Sequence, residues 1–166
     1  MPTPKRGQAS IEITAPPASV YDLVANITRM GERSPECYQC EWVGDFHEPV
    51  VGARFRGHNR MGLLRWSTTC QIVTADRGRE FAFTVVHEKN DRESTRWRYC
   101  MSAIGTGTLL TESFEFVWCP LPSRIGELFL PRGRVLREGV SKTVERIRAV
   151  AESEVTHADD SESPHR

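Results

Sequence analysis

The stretch from residue 94 to residue 116 reads STRWRYCMSAIGTGTLLTESFEF, and its pattern indicates the fold class. Before the glycines at 105 and 107, the large residues Trp97, Tyr99 and Met101 alternate with polar or small ones, and a similar alternation follows the glycines. A period of two is typical of a strand with one buried face, and a glycine turn joins two such strands. The stretch therefore predicts a pair of antiparallel strands that share an apolar face.

The alternation covers the whole middle of the chain. Turn signals at residues 47–49, 61–62, 76–78, 90–91 and 105–107 divide residues 38–118 into six strands, and residues 9–14 predict one further strand. The opposite, polar face of these strands carries no aromatic ring, because all the rings fall on the predicted inward face: Trp42, Phe46, Phe55, Trp66, Phe81, Phe83, Trp97, Tyr99, Phe114 and Phe116. An antiparallel sheet with one polar face must cover the other face.

The remaining segments have helical periodicity. Two prolines after Ala15 open a helix with apolar residues at i, i+3, i+4 and i+7, and residues 28–32 predict a second short helix. A short helical piece is predicted near residues 123–130. A long helix follows, with one apolar stripe: Leu136, Val140, Thr143, Val144, Ile147, Val150 and Ala151. We therefore predict an α+β fold in which a curved seven-stranded antiparallel sheet wraps around a long C-terminal helix, with space between them.

Length and charge limit the possible functions. The chain has 166 residues, with 22 basic and 22 acidic side chains, which suits one domain and argues against a protein that binds nucleic acid. No apolar run is long enough to span a membrane. Five cysteines without an export signal favour free thiols, and hence a cytoplasmic protein. We expect a domain at residues 8–152 between disordered ends at residues 1–7 and 153–166, which have little apolar content.

Several phrases of the sequence resemble the START-like, or SRPBCC, superfamily, and above all its bacterial members of the polyketide cyclase/dehydrase type. These phrases are residues 13–25 after the first strand, residues 30–36 before the second, and residues 52–57, 97–99 and 107–112 within the sheet. The resemblance implies a helix-grip fold, with two short helices after the first strand. It also implies a cavity for lipids, polyketides or other hydrophobic molecules. Some relatives are aromatases or cyclases, some carry ligands, and others bind partner proteins.

Glu112 is the most informative candidate for a functional residue. It stands on the inward face between Leu110 and Phe114, where an ionised carboxylate would lose its water. It could act as an acid or base, or orient a ligand. The alternative is a carboxylate at the cavity rim that pairs with an arginine. Tyr99 lies in the middle of its strand on the same face and is the second candidate for proton transfer or ligand orientation.

Other inward residues are candidates for the wall of the cavity. Asn59, Thr68 and His87 could supply polar contacts to an apolar ligand. The apolar candidates could equally belong to packed core, and they are Phe55, Trp66, Phe81, Phe83, Trp97, Leu110, Phe114, Val140 and Val144. Cys37-Tyr38-Gln39-Cys40 has the spacing of redox and zinc motifs, but no second pair accompanies it. We expect neither a metal nor a cofactor.

Three functions remain open at this point. The first is a protein that carries or sequesters a hydrophobic small molecule, such as a lipid or a polyketide, with no nucleic acid as partner. The second is a cyclase, aromatase or dehydratase that uses Glu112 or Tyr99 as acid or base. The third is a protein-binding adaptor with a collapsed core. A cavity larger than roughly 300 Å³ would argue against the third function. The oligomeric state is left open.

Overall fold

A computed structural model of the protein describes residues 6–118 and 132–161. The predicted helical piece near residues 123–130 lies outside these residues. The strands of the structure are β1 (Arg6–Ile13), β2 (Cys37–Val43), β3 (Arg54–Met61), β4 (Leu64–Asp76), β5 (Glu80–His87), β6 (Arg92–Ile104) and β7 (Gly107–Phe116). Its helices are α1 (Pro17–Ala25), a 3₁₀ helix (Ile27–Glu32) and α2 (Arg132–Ser161).

The seven strands form one antiparallel sheet in the order β1-β7-β6-β5-β4-β3-β2. Strands β2 to β7 are joined in sequence as neighbours, and β1 closes the far side against β7. The register of β6 and β7 places Trp97 opposite Phe114 and Tyr99 opposite Glu112. The predicted α+β helix-grip fold, with its seven-stranded sheet and two short helices after the first strand, is confirmed.

Helix α1 begins where the sequence places its prolines. Pro16 has an extended backbone at the N-cap, and Pro17 occupies the first turn, where its missing N–H removes no hydrogen bond. The helix buries Val20, Leu23 and Val24 against the sheet core. It ends at Asn26, and the 3₁₀ helix follows directly.

Helix α2 covers the sheet along β1 and also contacts α1 and β7. The buried apolar residues of its predicted stripe fall into two clusters. Val144, Ile147 and Ala151 join the main core, whereas Leu136 and Val140 pack with Phe114 in a second cluster. The stripe therefore seals the sheet at two separate places along the helix. None of the helices described is long and apolar enough to cross a lipid bilayer.

The first strand and the last helix reach into the end segments of the chain, residues 1–7 and 153–166. Helix α2 continues to Ser161, and β1 begins at Arg6. Two contacts explain the extension: Val155 packs against the main core, and Glu154 forms an ion pair of 2.7 Å with Arg29 of the 3₁₀ helix. The few apolar residues beyond 152 are thus enough to keep the helix docked.

Candidate functional site

A cavity of about 870 Å³ lies between the sheet and α2. Its walls come from the inward faces of β2 to β7, from the segment that follows the 3₁₀ helix, and from the first turns of α2. Arg132, Leu136, Gly139 and Thr143 form the side that α2 contributes. The space predicted between sheet and helix is therefore present.

Most of the side chains predicted for the site line this cavity together. The predicted residues found in its wall are Phe55, Asn59, Trp66, Thr68, Phe83, His87, Trp97, Tyr99 and Glu112. Phe55 and Phe83 contact each other edge to face, with ring centroids 5.1 Å apart. The amide nitrogen of Asn59 donates to the hydroxyl of Thr68 over 3.3 Å. The wall is therefore aromatic, with a few polar groups.

Five predicted residues do not line the cavity, and for these the prediction is corrected. Phe81, Leu110, Phe114, Val140 and Val144 are each at most 2 % exposed and belong to the packed clusters. The ring of Phe81 meets the ring of Tyr21 edge to face at 6.2 Å, so α1 covers it. Helix α2 covers Phe114 through Leu136 and Val140. A period of two identifies the inward face, but the helices decide which part of that face stays open.

The centre of the site is a buried pair formed by Tyr99 and Glu112. The phenol hydroxyl of Tyr99 donates a hydrogen bond of 2.9 Å to Oε1 of Glu112, and the side chains are 4 % and 2 % exposed. Glu112 Oε2 has no hydrogen-bond partner among the described residues. Among the described residues, the carboxyl group has no arginine as an ion-pair partner, and it is buried instead of lying at the rim, in contrast to the alternative left open by the sequence.

Burial controls the charge of this pair. Loss of solvent raises the pKa of Glu112 to about 8, and this effect outweighs the lowering by the hydrogen bond from Tyr99 and by Arg33. Burial also raises the pKa of Tyr99 well above its ordinary value, and the nearby carboxylate adds to the effect. At neutral pH the Glu112 carboxyl is mainly protonated. In this form the carboxyl group can donate a hydrogen bond as well as accept one.

Arg33 is a third buried polar residue of the cavity wall, and it was missed by the sequence analysis. It lies at the C-terminal end of the 3₁₀ helix and is only 1 % exposed. Its Nη2 donates to the carbonyl oxygens of Val24, at 2.7 Å, and Asn26, at 3.3 Å. Burial is the main cause of a lowered pKa of the guanidinium. No pattern marks this arginine as buried, because arginine in a polar loop is usually exposed.

Two thiols occupy the wall beside Arg33. A shift of register in β2 between Cys37 and Gln39 turns both Cys37 and Cys40 inward, with their Sγ atoms 3.4 Å apart. The hydrogen bond between these thiols is the main reason why the pKa of Cys37 is lowered and that of Cys40 is raised. The described residues contain no cluster of three or more histidine, cysteine, aspartate or glutamate side chains suited to a metal ion.

The rim of the cavity joins α2 to the segment after the 3₁₀ helix. Arg132 forms an ion pair with Glu36, and its guanidinium stands over the ring of Trp66 at 5.1 Å. Pro35 is the nearest neighbour of Gly139 on α2. His87 lines the opposite part of the cavity, where its ring meets Trp118 edge to face at 5.9 Å. Side chains from distant parts of the sequence thus meet around the opening.

The chain also matches a known protein family. A family model described as "polyketide cyclase / dehydrase and lipid transport" matches residues 5–152. The chain belongs to this family. The resemblance seen in the sequence is therefore confirmed. A search of curated protein sequences gives no significant match.

Solved structures support the same fold. A polyketide-cyclase-like protein from Corynebacterium glutamicum is 30% identical, with 100% of both chains covered and a TM-score of 0.60. The aromatase/cyclase ZhuI from Streptomyces sp. R1128 has a TM-score of 0.71 at 13% identity, with 90% of this chain and 94% of that chain covered. A Thermus thermophilus protein has a TM-score of 0.67 at 14% identity, covering 90% and 98%. The two more distant structures share the fold.

Proposed function

We propose that the protein binds one hydrophobic small molecule, such as a lipid or a polyketide, in the cavity between the sheet and α2, and that it carries or sequesters this molecule. The cavity of about 870 Å³ carries the proposal. Its volume lies within the range of about 300–1,000 Å³ that is usual for ligand pockets. The family description, which includes lipid transport, agrees with such a role.

The wall has the composition that such a ligand requires. Phe55, Phe83 and Trp97 present ring faces and edges, and these pack well against flat or extended apolar groups. At about 25 cal/mol per Å², burial of a few hundred Å² of ligand supplies several kcal/mol before the entropic costs of binding. Tyr99 and Glu112 then orient the ligand through its polar end. Apolar burial gives the affinity, and the buried pair gives the selectivity.

Proton transfer is the second candidate function. The observation in its favour is the Tyr99–Glu112 pair, because a carboxyl group with a pKa of about 8 can both take and return a proton near neutral pH. In that case a poly-carbonyl chain would fold against the aromatic wall, and Glu112 would transfer a proton to or from the reacting carbon of that chain. ZhuI is an aromatase/cyclase with this fold, but at 13% identity the likeness concerns the fold alone.

The adaptor hypothesis is disfavoured. It requires a collapsed interior, and the cavity is larger than the roughly 300 Å³ at which small ligands can be accommodated. A binding measurement with a blocked cavity tests the carrier proposal. Thr68 lines the cavity on β4, so Thr68→Trp places an indole inside it, whereas Thr111→Trp on β7 adds the same ring to a side chain that faces Ser10 outside the cavity.

The readout is the affinity for a hydrophobic fluorescent probe, 1-anilinonaphthalene-8-sulfonate, with folding checked by thermal unfolding. We expect Thr68→Trp to weaken binding at least about tenfold and Thr111→Trp to leave it unchanged, because only the first indole occupies the volume of the ligand. Equal affinity in the two variants would show that the probe binds elsewhere and would contradict the proposal.

A further inference from the structure

The turn that joins β3 to β4 presents apolar side chains to solvent. Met61 and Leu64 are the last paired residues of the two strands, and Gly62 and Leu63 form the turn between them. Gly62 has a φ of 59°, which suits the first central position of a tight hairpin turn. Leu63 has a relative exposure of 103 % and Leu64 one of 51 %, and no other large apolar side chain of the described residues is as exposed as Leu63. Two adjacent leucines therefore protrude at the end of the sheet.

Two arginines flank these leucines. Arg60 and Arg65 lie opposite each other on β3 and β4, and both are exposed. Their guanidinium groups stand 5.5 Å and 5.8 Å from the ring centroid of Tyr38, which is itself 37 % exposed. Neither arginine forms an ion pair with a carboxylate of the described residues. Residues 60–65 and Tyr38, which we call the hairpin tip, thus combine an apolar end with two positive charges that no acidic side chain neutralises.

The hairpin tip lies beside the opening of the cavity. Asn59 and Trp66 are the next residues along the two strands; they are paired with each other, and both line the cavity. Trp66 also lies under the guanidinium of Arg132 at the rim. On each strand the cavity wall therefore begins at the residue next to the tip. Any surface that the tip contacts is brought close to the cavity opening.

We infer that the hairpin tip docks the protein onto the surface of an anionic lipid bilayer. Leu63 and Leu64 insert among the acyl chains, where their apolar surface leaves water. Arg60 and Arg65 lie at the level of the lipid phosphates and pair with them, and the ring of Tyr38 lies at the same interface. The charge of the tip is complementary to that of an anionic headgroup layer. A protruding tip also suits a deformable bilayer, whereas a protein partner would need a pocket of matching shape.

This contact is peripheral and reversible. Two leucine side chains insert less apolar surface than one myristoyl chain, which by itself gives only marginal membrane binding. The arginines add an attraction that acts within about 10 Å of the surface at moderate salt. Docking places the opening of the cavity near the bilayer, so that a hydrophobic molecule can pass between the two with little exposure to water. The contact lies outside the cavity and goes beyond the proposed function.

The test measures cosedimentation of the full chain with two kinds of vesicle. One kind contains phosphatidylcholine alone, and the other contains phosphatidylcholine with about 30 % phosphatidylserine. We expect partitioning into the anionic vesicles to be at least about tenfold stronger, because each arginine near the surface contributes severalfold. The difference should shrink as salt is raised, since salt screens the arginines. Equally weak binding to both kinds of vesicle would overturn the inference and leave the tip as a contact for another protein.

A double variant of the leucines tests insertion. Leu63→Ser with Leu64→Ser should weaken partitioning into the anionic vesicles at least about tenfold, because two buried leucine side chains are lost from the contact. Val50→Ser with Val51→Ser is the matched control, since these valines are 47 % and 64 % exposed in the β2–β3 connection, at the other end of β3. This control should bind as the wild type does. Unchanged partitioning of the folded leucine variant would contradict insertion.

A double variant of the arginines tests the charge. Arg60→Gln with Arg65→Gln should bind the two kinds of vesicle about equally. A preference for anionic vesicles equal to that of the wild type would contradict the role given to these arginines. Residues 60–65 do not line the cavity, so the affinity for 1-anilinonaphthalene-8-sulfonate should stay that of the wild type in both double variants. Probe binding without vesicle binding in the wild type would overturn the membrane contact and leave the proposed function intact.

Discussion

Tyr99 and Glu112 lie opposite each other on β6 and β7, and the phenol of one donates a hydrogen bond of 2.9 Å to the carboxyl of the other inside the domain. The carboxyl group is 2 % exposed and retains one oxygen without a partner among the described residues. A buried acid of this kind affects stability, ligand choice and proton transfer together. It therefore gives several measurable consequences.

The first prediction concerns the pH dependence of stability. The pKa of Glu112 is about 8 in the folded protein and near the ordinary value of 4.5 when unfolded. Because the folded pKa is the higher one, the contribution of the protonated group is fully present below about pH 4.5 and is lost as pH rises toward 8. Urea denaturation of wild type and Glu112→Gln at about pH 5 and about pH 8.5 should show the wild type losing a few kcal/mol more over this interval. Parallel losses in the two proteins would contradict a buried, protonated Glu112.

The second prediction isolates the hydrogen bond of the pair. Tyr99→Phe removes the hydroxyl and leaves Oε1 of Glu112 buried without its donor, which should lower the free energy of unfolding by about 1–3 kcal/mol. Tyr38→Phe is the matched control, because Tyr38 is 37 % exposed, and it should change stability by less than about 0.5 kcal/mol. Chemical denaturation of the three proteins makes the comparison. A Tyr99→Phe protein as stable as the control would show that the bond contributes nothing.

The third prediction separates core residues from cavity residues. Phe81 is fully buried against Tyr21, so Phe81→Ala should lower the free energy of unfolding by about 3–5 kcal/mol. Trp66 is half-buried and lines the cavity under Arg132, so Trp66→Ala should cost less stability and weaken probe binding more. Unfolding and binding are measured on both variants. The reverse order in either measurement would mean that the boundary between core and cavity is misplaced.

The fourth prediction uses Cys37 as a reporter of occupancy. Its thiol lines the cavity, and the hydrogen bond that it shares with the Cys40 thiol lowers its pKa. Alkylation by iodoacetamide, mapped by peptide mass spectrometry, should therefore slow several-fold at Cys37 when the hydrophobic probe 1-anilinonaphthalene-8-sulfonate is bound. Cys100 lies outside the cavity lining and serves as the internal control, with an unchanged rate. Equal protection of both thiols would point to a global effect and not to a ligand in the cavity.

The sequence predicts the sheet and two of the buried polar residues of the candidate site. The period of two along residues 94–116 fixes which side chains face inward, and an acidic residue between Leu110 and Phe114 stands out on that face. The sequence alone therefore predicts that Tyr99 and Glu112 face inward, and both are buried in the structure. The same period cannot distinguish the open part of the face from the part that the helices cover. It therefore predicts ligand contacts for Phe81 and Leu110, although both residues lie in the packed core.

Other features depend on contacts between distant segments. Arg33 is buried because its Nη2 satisfies two carbonyl groups at the end of α1, a contact without any periodic signal. Cys37 faces inward only because β2 carries an irregularity of register. The helix beyond residue 152 is held by Val155 and by the ion pair between Glu154 and Arg29. Each of these depends on a tertiary partner that local patterning does not reveal.

Native mass spectrometry of the protein purified from its own host tests the central claim most directly. The wild type should carry one small-molecule adduct per chain, which organic extraction releases as a hydrophobic compound, and Thr68→Trp prepared in the same way should carry none. If the wild type and Thr68→Trp are both detected at the mass of the bare polypeptide after gentle purification, the cavity does not hold a hydrophobic ligand and the proposed function is wrong.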